Sequence, residues 1–453
     1  MIPAHIFREY DIRGLADADL TDENVYLLGR GFGAYFAKIG QTRVAVGHDV
    51  RRSSPRISRI INRALAESGC DVTFIGQVPT PLLYFSLFHF DLPAGVMVTA
   101  SHNPKEFNGF KVCAGKMSLY GNDIQDLRRI IEAGRFADGQ GRVEERDVVP
   151  AYVDHVTSGI DIKPGLSVLV DTGNGTCGPL MAGILDRLQV KHRILFPEPD
   201  GDFPNHLPDP TVPKYIKDLV AGVKAGGYDC GVGLDGDGDR IGVIDEKGDI
   251  IWGDVLLAVY AEAVLQANPG AKIIFEVKCS KGLTERIVQL GGMPYMYRTG
   301  HSLIKAKMKQ ESAPLAGEMS GHMFFADRYY GYDDAIYACL RLLETLGRGR
   351  RLSEITSAFP RYYSTPEIRV AATDEAKFKV VDRIKEQFRQ KYEIIDIDGV
   401  RVDFGDGWGL IRASNTQPVL VVRCEAKTET RLAEILNLIK AALAGQDLFL
   451  PDQ

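Results

Sequence analysis

A short apolar segment that ends in serine and histidine is the first place where this sequence offers reactive groups. Residues 96–100 lead directly into a Ser-His-Asn-Pro turn at 101–104, and Lys111 follows a few residues later. In α/β proteins the side chains that follow a buried strand lie at the rim of the sheet, where chemistry collects. Ser101 could be a nucleophile with His102 as its base and Lys111 as a nearby cation. The alternative is a polar turn that caps a buried strand, and this segment alone does not separate the two.

Three aspartates in a glycine-rich segment form the second candidate. In residues 233–240, Asp235, Asp237 and Asp239 occupy alternate positions with glycines between them, and Arg240 follows. Carboxylates at this spacing can turn their oxygens onto one hard cation. We interpret the segment as a Mg²⁺ loop on a β-hairpin, with Arg240 beside the metal, where anionic oxygens gather. A solvated Asp/Gly turn is the alternative.

The aspartate spacing also matches an EF-hand loop, with Glu246 at the last ligand position. Two observations argue against it. The sharp turn of an EF-hand needs glycine at the sixth position, where this sequence has Arg240. The flanking residues 230–233 and 241–245 have the composition of strands rather than of two helices.

Two further turns carry groups that bind anions or sugars. Residues 412–418 follow an apolar strand and bring the guanidinium of Arg412 together with hydroxyls and amides, a combination suited to a phosphate clamp. Residues 317–322 form a glycine-bracketed loop whose Glu318, Ser320 and His322 can hydrogen-bond to sugar hydroxyls. In each case a plain solvated turn is the alternative.

Two isolated residues add weaker indications. Arg13, before Gly14, could approach a phosphate or form a structural ion pair with Asp11, and His301 could bind a ligand or cap a helix. A candidate hydroxyl nucleophile, a Mg²⁺ loop and separate phosphate-binding groups together favour phosphoryl transfer, in which catalysis is mainly positioning and charge neutralisation. The sequence has no G-x-x-x-x-G-K-[ST] motif, which disfavours a kinase of the P-loop type.

Composition limits the classes of partner. The chain has 453 residues, a net charge of -6, 45% hydrophobic and 25% charged residues, which is typical of a globular protein and argues against a general nucleic-acid binder. Seven scattered cysteines without a C-x-x-C pair argue against a disulfide framework or a zinc site and favour the reducing cytoplasm. We see no export signal and no apolar run long enough to span a bilayer, so no membrane partner is expected.

The order of predicted elements indicates several domains. Strands at 43–47, 166–171 and 272–277 each run into a polar turn and a helix, which predicts a repeated α/β domain with a largely parallel core. The last segment predicts helices on an antiparallel sheet. Linkers are expected near 148–150, 248–249 and 359–361. The predicted domains are 1–147 with the serine turn, 148–249 with the metal loop, 250–360 with the sugar loop, and 361–453 with the phosphate clamp.

Five motifs in this order resemble the α-D-phosphohexomutase family, and most closely its bacterial bifunctional phosphomannomutase/phosphoglucomutase branch. They cover essentially the whole chain. The motifs are Y-D-I-R-G at 10–14, T-A-S-H-N-P at 99–104, D-G-D-G-D-R at 235–240, G-E-M-S-G-H at 317–322 and R-A-S-N-T-Q-P at 412–418.

The resemblance implies four domains around a central cleft, the last of them of the TATA-box-binding-protein-like type. It implies an enzyme phosphorylated on Ser101, with Mg²⁺ held by that group and by Asp235, Asp237 and Asp239. Such an enzyme exchanges a phosphoryl group with mannose or glucose 1- and 6-phosphates through a bound hexose 1,6-bisphosphate. Family precedent also favours a monomer.

The resemblance also assigns roles to single residues. His102, Arg13 and Arg240 would be cations that offset charge as the phosphoryl group moves, and Lys111 would be the general base, for which its pKa must be lowered. Met319 favours the mannose/glucose branch over glucosamine mutases. The residues expected to contact substrate are Tyr10, Lys278, His301, Glu318, Ser320, His322, Arg412, Ser414, Asn415 and Thr416.

Two other classes remain open on the sequence. A phosphatase would form the same phosphoserine and lose it to water, with net release of phosphate. A non-catalytic sugar-phosphate or Ca²⁺-binding protein would leave Ser101 unmodified.

Overall fold

The structure is a computed structural model that describes residues 2–136, 138–415 and 417–451, and four β-sheets follow one another along it. Each sheet belongs to its own stretch of sequence and has helices packed on it. The predicted fold class, three α/β domains and a C-terminal α+β domain, is confirmed. The exact domain boundaries stay predictions. No helix in the described ranges is long and apolar enough to cross a membrane.

The first domain has seven strands and four α-helices. They are β1 (Ile12–Leu15), α1 (Asp22–Lys38), β2 (Arg43–His48), α2 (Ser54–Glu67), β3 (Asp71–Gln77), α3 (Thr80–His89), β4 (Ala94–Val98), β5 (Phe107–Ala114), β6 (Met117–Ser118), α4 (Asn122–Ala133) and β7 (Val143–Glu145). The sheet order is β1-β5-β4-β2-β3-β7, with β6 paired to β5. Because β2 and β4 are parallel and β5 returns antiparallel to β4, the turn between β4 and β5 lies at the carboxyl edge of the sheet. This turn contains Ser101.

The second domain places the aspartates on a hairpin. Its elements are α5 (Val149–Ser158), β8 (Ser167–Asp171), α6 (Gly178–Arg187), β9 (Lys191–Leu195), α7 (Lys217–Lys224), β10 (Cys230–Leu234), β11 (Ile241–Asp245) and β12 (Ile250–Ile251). Strands β10 and β11 pair antiparallel, so the residues beside the aspartate loop are strands, as predicted. A linker was predicted at 248–249, and its place as a domain boundary stays a prediction. The segment is a tight turn in which the Gly248 N–H donates to the Asp245 carbonyl (2.9 Å), and β12 continues the sheet.

The third domain has a four-stranded sheet of order β14-β13-β15-β16. Its elements are α8 (Gly253–Ala267), β13 (Lys272–Glu276), α9 (Lys281–Gln289), β14 (Met293–Tyr297), α10 (His301–Glu311), β15 (Leu315–Gly317), β16 (Met323–Phe325), α11 (Ala335–Leu346) and α12 (Leu352–Thr356). The β15–β16 pair is antiparallel, and the segment between these strands is the predicted sugar loop.

The fourth domain is an antiparallel sheet with two helices, as predicted. Its elements are β17 (Tyr363–Ser364), β18 (Ile368–Ala371), α13 (Lys377–Arg389), β19 (Glu393–Ile395), β20 (Val400–Asp403), β21 (Gly407–Ala413), β22 (Val419–Ala426) and α14 (Glu429–Ala444). The core of this domain lies between the sheet and both helices, with Ile384, Ile411 and Ile439 fully buried.

One apolar core joins the first three domains. Helix α3 is buried on nearly every side, because it packs between its own sheet and the second domain. This explains why its sequence is apolar all round rather than amphipathic. The N-terminus of α3 also contacts the aspartate hairpin, where the Thr80 N–H donates to the Asp237 carbonyl (2.8 Å). The shared core therefore fixes the serine turn against the aspartate hairpin.

Candidate active site

Ser101 lies in the turn after β4 with its hydroxyl directed at the second domain. Its backbone has φ of 51°, a left-handed conformation that side chains other than glycine rarely adopt. The Ser101 N–H donates to Thr99 Oγ1 (2.9 Å), which stabilises this conformation. The hydroxyl donates to Asp235 Oδ2 (2.6 Å) and lies 3.0 Å from His102 Nδ1. A strained backbone conformation that its surroundings hold in place is a feature of functional sites.

Arg51 holds this turn together, and the sequence analysis did not identify it. Its guanidinium is fully buried and donates to the carbonyl oxygens of Ser101 (2.8 Å), Asn103 (2.6 Å), Pro104 (2.7 Å) and Phe107 (2.9 Å). Four carbonyl oxygens of this turn thus share one buried cation. The only signal in the sequence was an arginine in the polar turn after β2, which has no specific meaning by itself.

The three aspartates are fully buried and converge. One oxygen from each lies within 4.8 Å of the others, and Asp237 Oδ1 and Asp239 Oδ1 have no hydrogen-bond partner among the described residues. Buried carboxylate oxygens without a partner are costly, so the set fits a cation. The chemistry of the donors, oxygen only, suits a hard divalent ion.

Lys111 lies directly against this carboxylate cluster. Its ammonium donates to Asp237 Oδ2 (2.8 Å) and also contacts Asp239. Burial alone would lower the pKa of Lys111, but Asp237 and Asp239 outweigh it and raise the pKa above its usual value. This is the opposite of what a general base needs, so the structure as described holds Lys111 as a cation.

The other predicted cations surround Ser101. Arg13 donates to Asn103 Oδ1 (2.7 Å) and Asp11 Oδ2 (2.5 Å), and Arg240 lies 3.4 Å from His102 Nε2. Burial, then Arg240 and Arg13, push the pKa of His102 well below its usual range. In this arrangement burial and the two arginines hold the His102 ring neutral, and its role in offsetting charge stays a prediction.

Tyr10 connects three domains at the opposite end of the site. Its hydroxyl donates to the Thr299 carbonyl (2.6 Å) and accepts from Asn415 Nδ2 (2.8 Å). Glu318 is buried, and its Oε1 accepts from the N–H of Gly300 (2.6 Å), the residue after Thr299. Burial raises the pKa of Glu318. The predicted sugar loop and phosphate clamp thus meet the first domain.

Arg412 of the clamp and Lys278 of the third domain have acidic partners that the sequence did not indicate. Arg412 pairs with Asp398 (3.0 Å), and Lys278 pairs with Glu367 (3.1 Å). These acids became recognisable only through contacts between distant parts of the chain. Ser414 is buried beside Arg412, and Ser320 is half-buried in the sugar loop without a side-chain hydrogen bond to another described residue. Thr416 lies outside the described residues.

Two histidines join the ends of the site. His301 is the first residue of α10, and its ring stacks on that of His322 with centroids 5.4 Å apart and lies 6.3 Å from that of Tyr10. The helix is capped at Gly300, so His301 does not take the capping role that was its alternative. Contacts among the described residues therefore run without a break from Asn415 and Tyr10 through the two histidines to Arg240, His102 and Ser101.

The comparison with known proteins agrees with this arrangement over almost the entire chain. Four models of the phosphoglucomutase/phosphomannomutase family match in succession: α/β/α domain I at residues 4–138, domain II at 150–248, domain III at 252–363 and the C-terminal domain at 367–442. This chain belongs to the phosphoglucomutase/phosphomannomutase family. It is an enzyme of the mutase class.

Relatives within the family are similar over their full length. A phosphomannomutase/phosphoglucomutase of Pseudomonas aeruginosa is 45% identical over 452 residues, 99% of this chain and 98% of that protein. A phosphoglucomutase of Neisseria meningitidis serogroup A is 43% identical, covering 98% and 97%. The solved structure of a phosphoglucomutase/phosphomannomutase family protein from Burkholderia thailandensis superposes with a TM-score of 0.94 at 40% identity, covering 100% of both chains.

Replacing Arg51 tests whether it builds the serine turn. In Arg51→Lys a single ammonium replaces the guanidinium with its five N–H donors. Several carbonyls of the serine turn therefore lose their partner. We expect mutase kcat to fall by roughly tenfold or more and the free energy of unfolding to fall by about 2–4 kcal/mol. Arg52→Lys is the matched control, because the Arg52 side chain is 75% exposed. Equal kcat and melting temperature in Arg51→Lys and wild type would contradict this role.

Proposed function

We propose that this protein moves a phosphoryl group reversibly between the 1- and 6-positions of hexose phosphates, mannose and glucose among them. The proposed carrier is Ser101, and the proposed intermediate is a bound hexose 1,6-bisphosphate. The observation that carries the proposal is the buried Ser101 hydroxyl, hydrogen-bonded to Asp235, with Arg13 and Arg240 on its neighbours Asn103 and His102 and Lys111 on the aspartate loop. Family membership supports the choice of substrate class.

The transfer can be written in terms of this chain's own residues. In the forward step the bond between phosphorus and Ser101 Oγ breaks and a bond between phosphorus and a sugar oxygen forms, while the proton of the sugar hydroxyl passes to Ser101 Oγ, which leaves as a hydroxyl. Arg13 and Arg240 are placed to stabilise the negative charge of the moving group. Lys111 is our candidate for the proton transfer: its described, protonated form can donate, and the base role requires its neutral form.

The remote phosphate needs its own anchor. We assign it to Arg412, Ser414, Asn415 and, by the family motif, Thr416, which combine a guanidinium with hydroxyl and amide donors. The proposed sugar contacts are Tyr10, Lys278, His301, Glu318, Ser320 and His322. An anchor that accepts either phosphate lets the bisphosphate bind in both orientations, so that the second phosphate can return to Ser101.

We assign a magnesium ion to Asp235, Asp237 and Asp239, with a phosphoryl group on Ser101 completing the set. When bound, the ion would neutralise charge on the transferred group. The support is the set of buried carboxylate oxygens without hydrogen-bond partners. The chain's own contribution is to hold the three carboxylates close together on a rigid hairpin before any ion arrives.

Removing divalent cations tests this assignment. We expect enzyme treated with EDTA and passed into metal-free buffer to lose mutase activity, and to regain it on titration with Mg²⁺. Asp237→Asn should bind Mg²⁺ more weakly, because one of the ligand charges is lost. Asp17→Asn, a substitution at an exposed aspartate, is the control. Full activity in the treated enzyme, with metal absent by elemental analysis, would contradict the assignment.

Replacing Ser101 tests the phosphoryl carrier. Ser101→Ala should abolish conversion of mannose 1-phosphate to mannose 6-phosphate and leave the melting temperature close to that of wild type. Intact-mass analysis should show one phosphoryl group on the purified wild-type protein and none on Ser101→Ala. Ser158→Ala, at an exposed helix end, is the control and should behave as wild type.

The same assay separates a mutase from a phosphatase. A mutase should release little inorganic phosphate, and its dephosphorylated form should require a hexose 1,6-bisphosphate for activity. Stoichiometric phosphate release with each turnover would support the phosphatase instead. Near-normal isomerisation by Ser101→Ala would overturn the carrier role.

We further propose that the enzyme acts as a monomer in the cytoplasm. All seven cysteines are buried free thiols, which supports a reducing compartment. The net charge of -6 supports a small-molecule rather than a nucleic-acid partner.

A further inference from the structure

Asp333 is a fully buried carboxylate to which the proposed reaction assigns no role. Its Oδ1 accepts from Lys305 Nζ (2.9 Å), and its Oδ2 lies 3.0 Å from His322 Nδ1 and 3.6 Å from His301 Nδ1. One carboxylate thus faces both histidines of the substrate region. It lies immediately before α11, outside the five motifs.

The contacts of His322 determine which of its nitrogens carries the proton. Arg240 Nε can only donate, and it lies 3.0 Å from His322 Nε2, so Nε2 must be the accepting, unprotonated nitrogen. The neutral ring then carries its proton on Nδ1. Nδ1 lies 3.0 Å from Asp333 Oδ2 and 3.7 Å from Asp239 Oδ1, in ion-pair contacts rather than hydrogen bonds. The Nδ1–H tautomer of His322 is therefore favoured by the negative charge of Asp333 and Asp239 beside Nδ1.

The same reasoning extends to Ser101. Arg240 Nη1 lies 3.4 Å from His102 Nε2, so His102 also accepts at Nε2 and carries its proton on Nδ1. This Nδ1–H faces Ser101 Oγ (3.0 Å), and Ser101 in turn donates to Asp235 (2.6 Å). From Arg240 through His102 and Ser101 to Asp235, each donor therefore meets an acceptor. If His322 were protonated at Nε2, Arg240 Nε would lose its acceptor, and the guanidinium would no longer be held towards His102.

A second metal site is the competing interpretation of the same atoms. Oxygens of Asp239 and Asp333 and a nitrogen of His322 lie within 4.8 Å of one another. However, a metal-binding histidine normally donates its other N–H to an acceptor. Here the other nitrogen faces the donor Arg240, so a ring bound to metal at Nδ1 would carry no proton at all. Lys305 also already pairs with Asp333.

We propose that Asp333 is a positioning residue, which holds His322 in the neutral Nδ1–H tautomer and thereby directs Arg240 and His102 towards Ser101. Its effect on turnover rests on the proposed function, whereas its effect on the tautomer does not. Although burial alone would raise the pKa of Asp333, Lys305 and His322 hold it well below its usual range, so the carboxylate is ionised. Burial and Lys305 push the pKa of His301 down, which keeps that ring neutral.

The direct test is ring-nitrogen NMR of the full-length protein labelled with ¹⁵N-histidine. The signals of His322 are identified among those of the nine histidines because His322→Ala removes them. Wild type should show His322 protonated at Nδ1 and bare at Nε2, and Asp333→Ala should shift it towards the Nε2–H form. A wild-type His322 protonated at Nε2, or an unchanged pattern in Asp333→Ala, overturns the proposal. A loss of these signals on addition of Zn²⁺ to wild type would favour the metal site and also overturn it.

A double-mutant cycle provides the kinetic test. We expect Asp333→Ala to lower mutase kcat by roughly 10- to 100-fold, with a smaller change in KM. If Asp333 acts through His322, adding Asp333→Ala to His322→Ala should lower kcat no further. Additive effects of the two substitutions would overturn the proposal. If neither variant changes kcat while the tautomer shifts as expected, the positioning holds and the proposed catalytic role of this region fails instead.

Two further variants separate positioning from folding. Asp327→Ala breaks a similarly buried ion pair with Arg341 (2.8 Å), so it should lower stability but leave kcat and the His322 signals unchanged. If Asp333→Ala does not fold because Lys305 is left unpaired, Asp333→Leu combined with Lys305→Met removes both buried charges. In this double variant His322 should still lose its Nδ1–H tautomer. Retention of the tautomer in the folded double variant overturns the proposal.

Discussion

The contact between the Ser101 hydroxyl and the Asp235 carboxylate is the constraint on which the remaining structure of the site depends, because it joins two domains through two loops. Close approach of the loops requires Gly236, where a Cβ would meet the Ser101 carbonyl at 2.7 Å. On the serine side Arg51 fixes the turn, and on the aspartate side the Thr80 hydroxyl donates to Asp237 (2.6 Å). The loops are therefore positioned by buried hydrogen bonds before any substrate binds.

Buried charges then connect the domains in chain order. Lys111 of the first domain pairs with carboxylates of the second, Arg240 of the second reaches His322 of the third, and Lys278 of the third pairs with Glu367 of the fourth. Such pairs give little net stability, because desolvation offsets their attraction. Their effect here is geometric. Each charged group has its partner on another domain, so the full site exists only when all four domains are in place.

Much of the fold and the centre of the site could be predicted from the sequence. Apolar strands followed by polar turns identified the α/β domains, and dense local motifs identified Ser101 and the aspartate loop. The predicted linker at 248–249 is a tight turn before β12, since glycine and aspartate mark tight turns and domain boundaries alike. Arg51 and Asp333 were missed because each is a single charged residue in an ordinary context. Their importance arises from contacts with residues far away in the chain. The lowered pKa of His102 likewise arises from burial and from arginines contributed by two domains.

The central claim is that Ser101 passes its phosphoryl group to the sugar rather than to water. The most direct test loads the protein with a radiolabelled phosphoryl group from labelled glucose 1,6-bisphosphate, removes the excess, and adds mannose 1-phosphate for a single turnover. The account predicts that the label leaves the protein and appears first in mannose 1,6-bisphosphate. Label released as inorganic phosphate, or retained on the protein while mannose 6-phosphate forms, would contradict it.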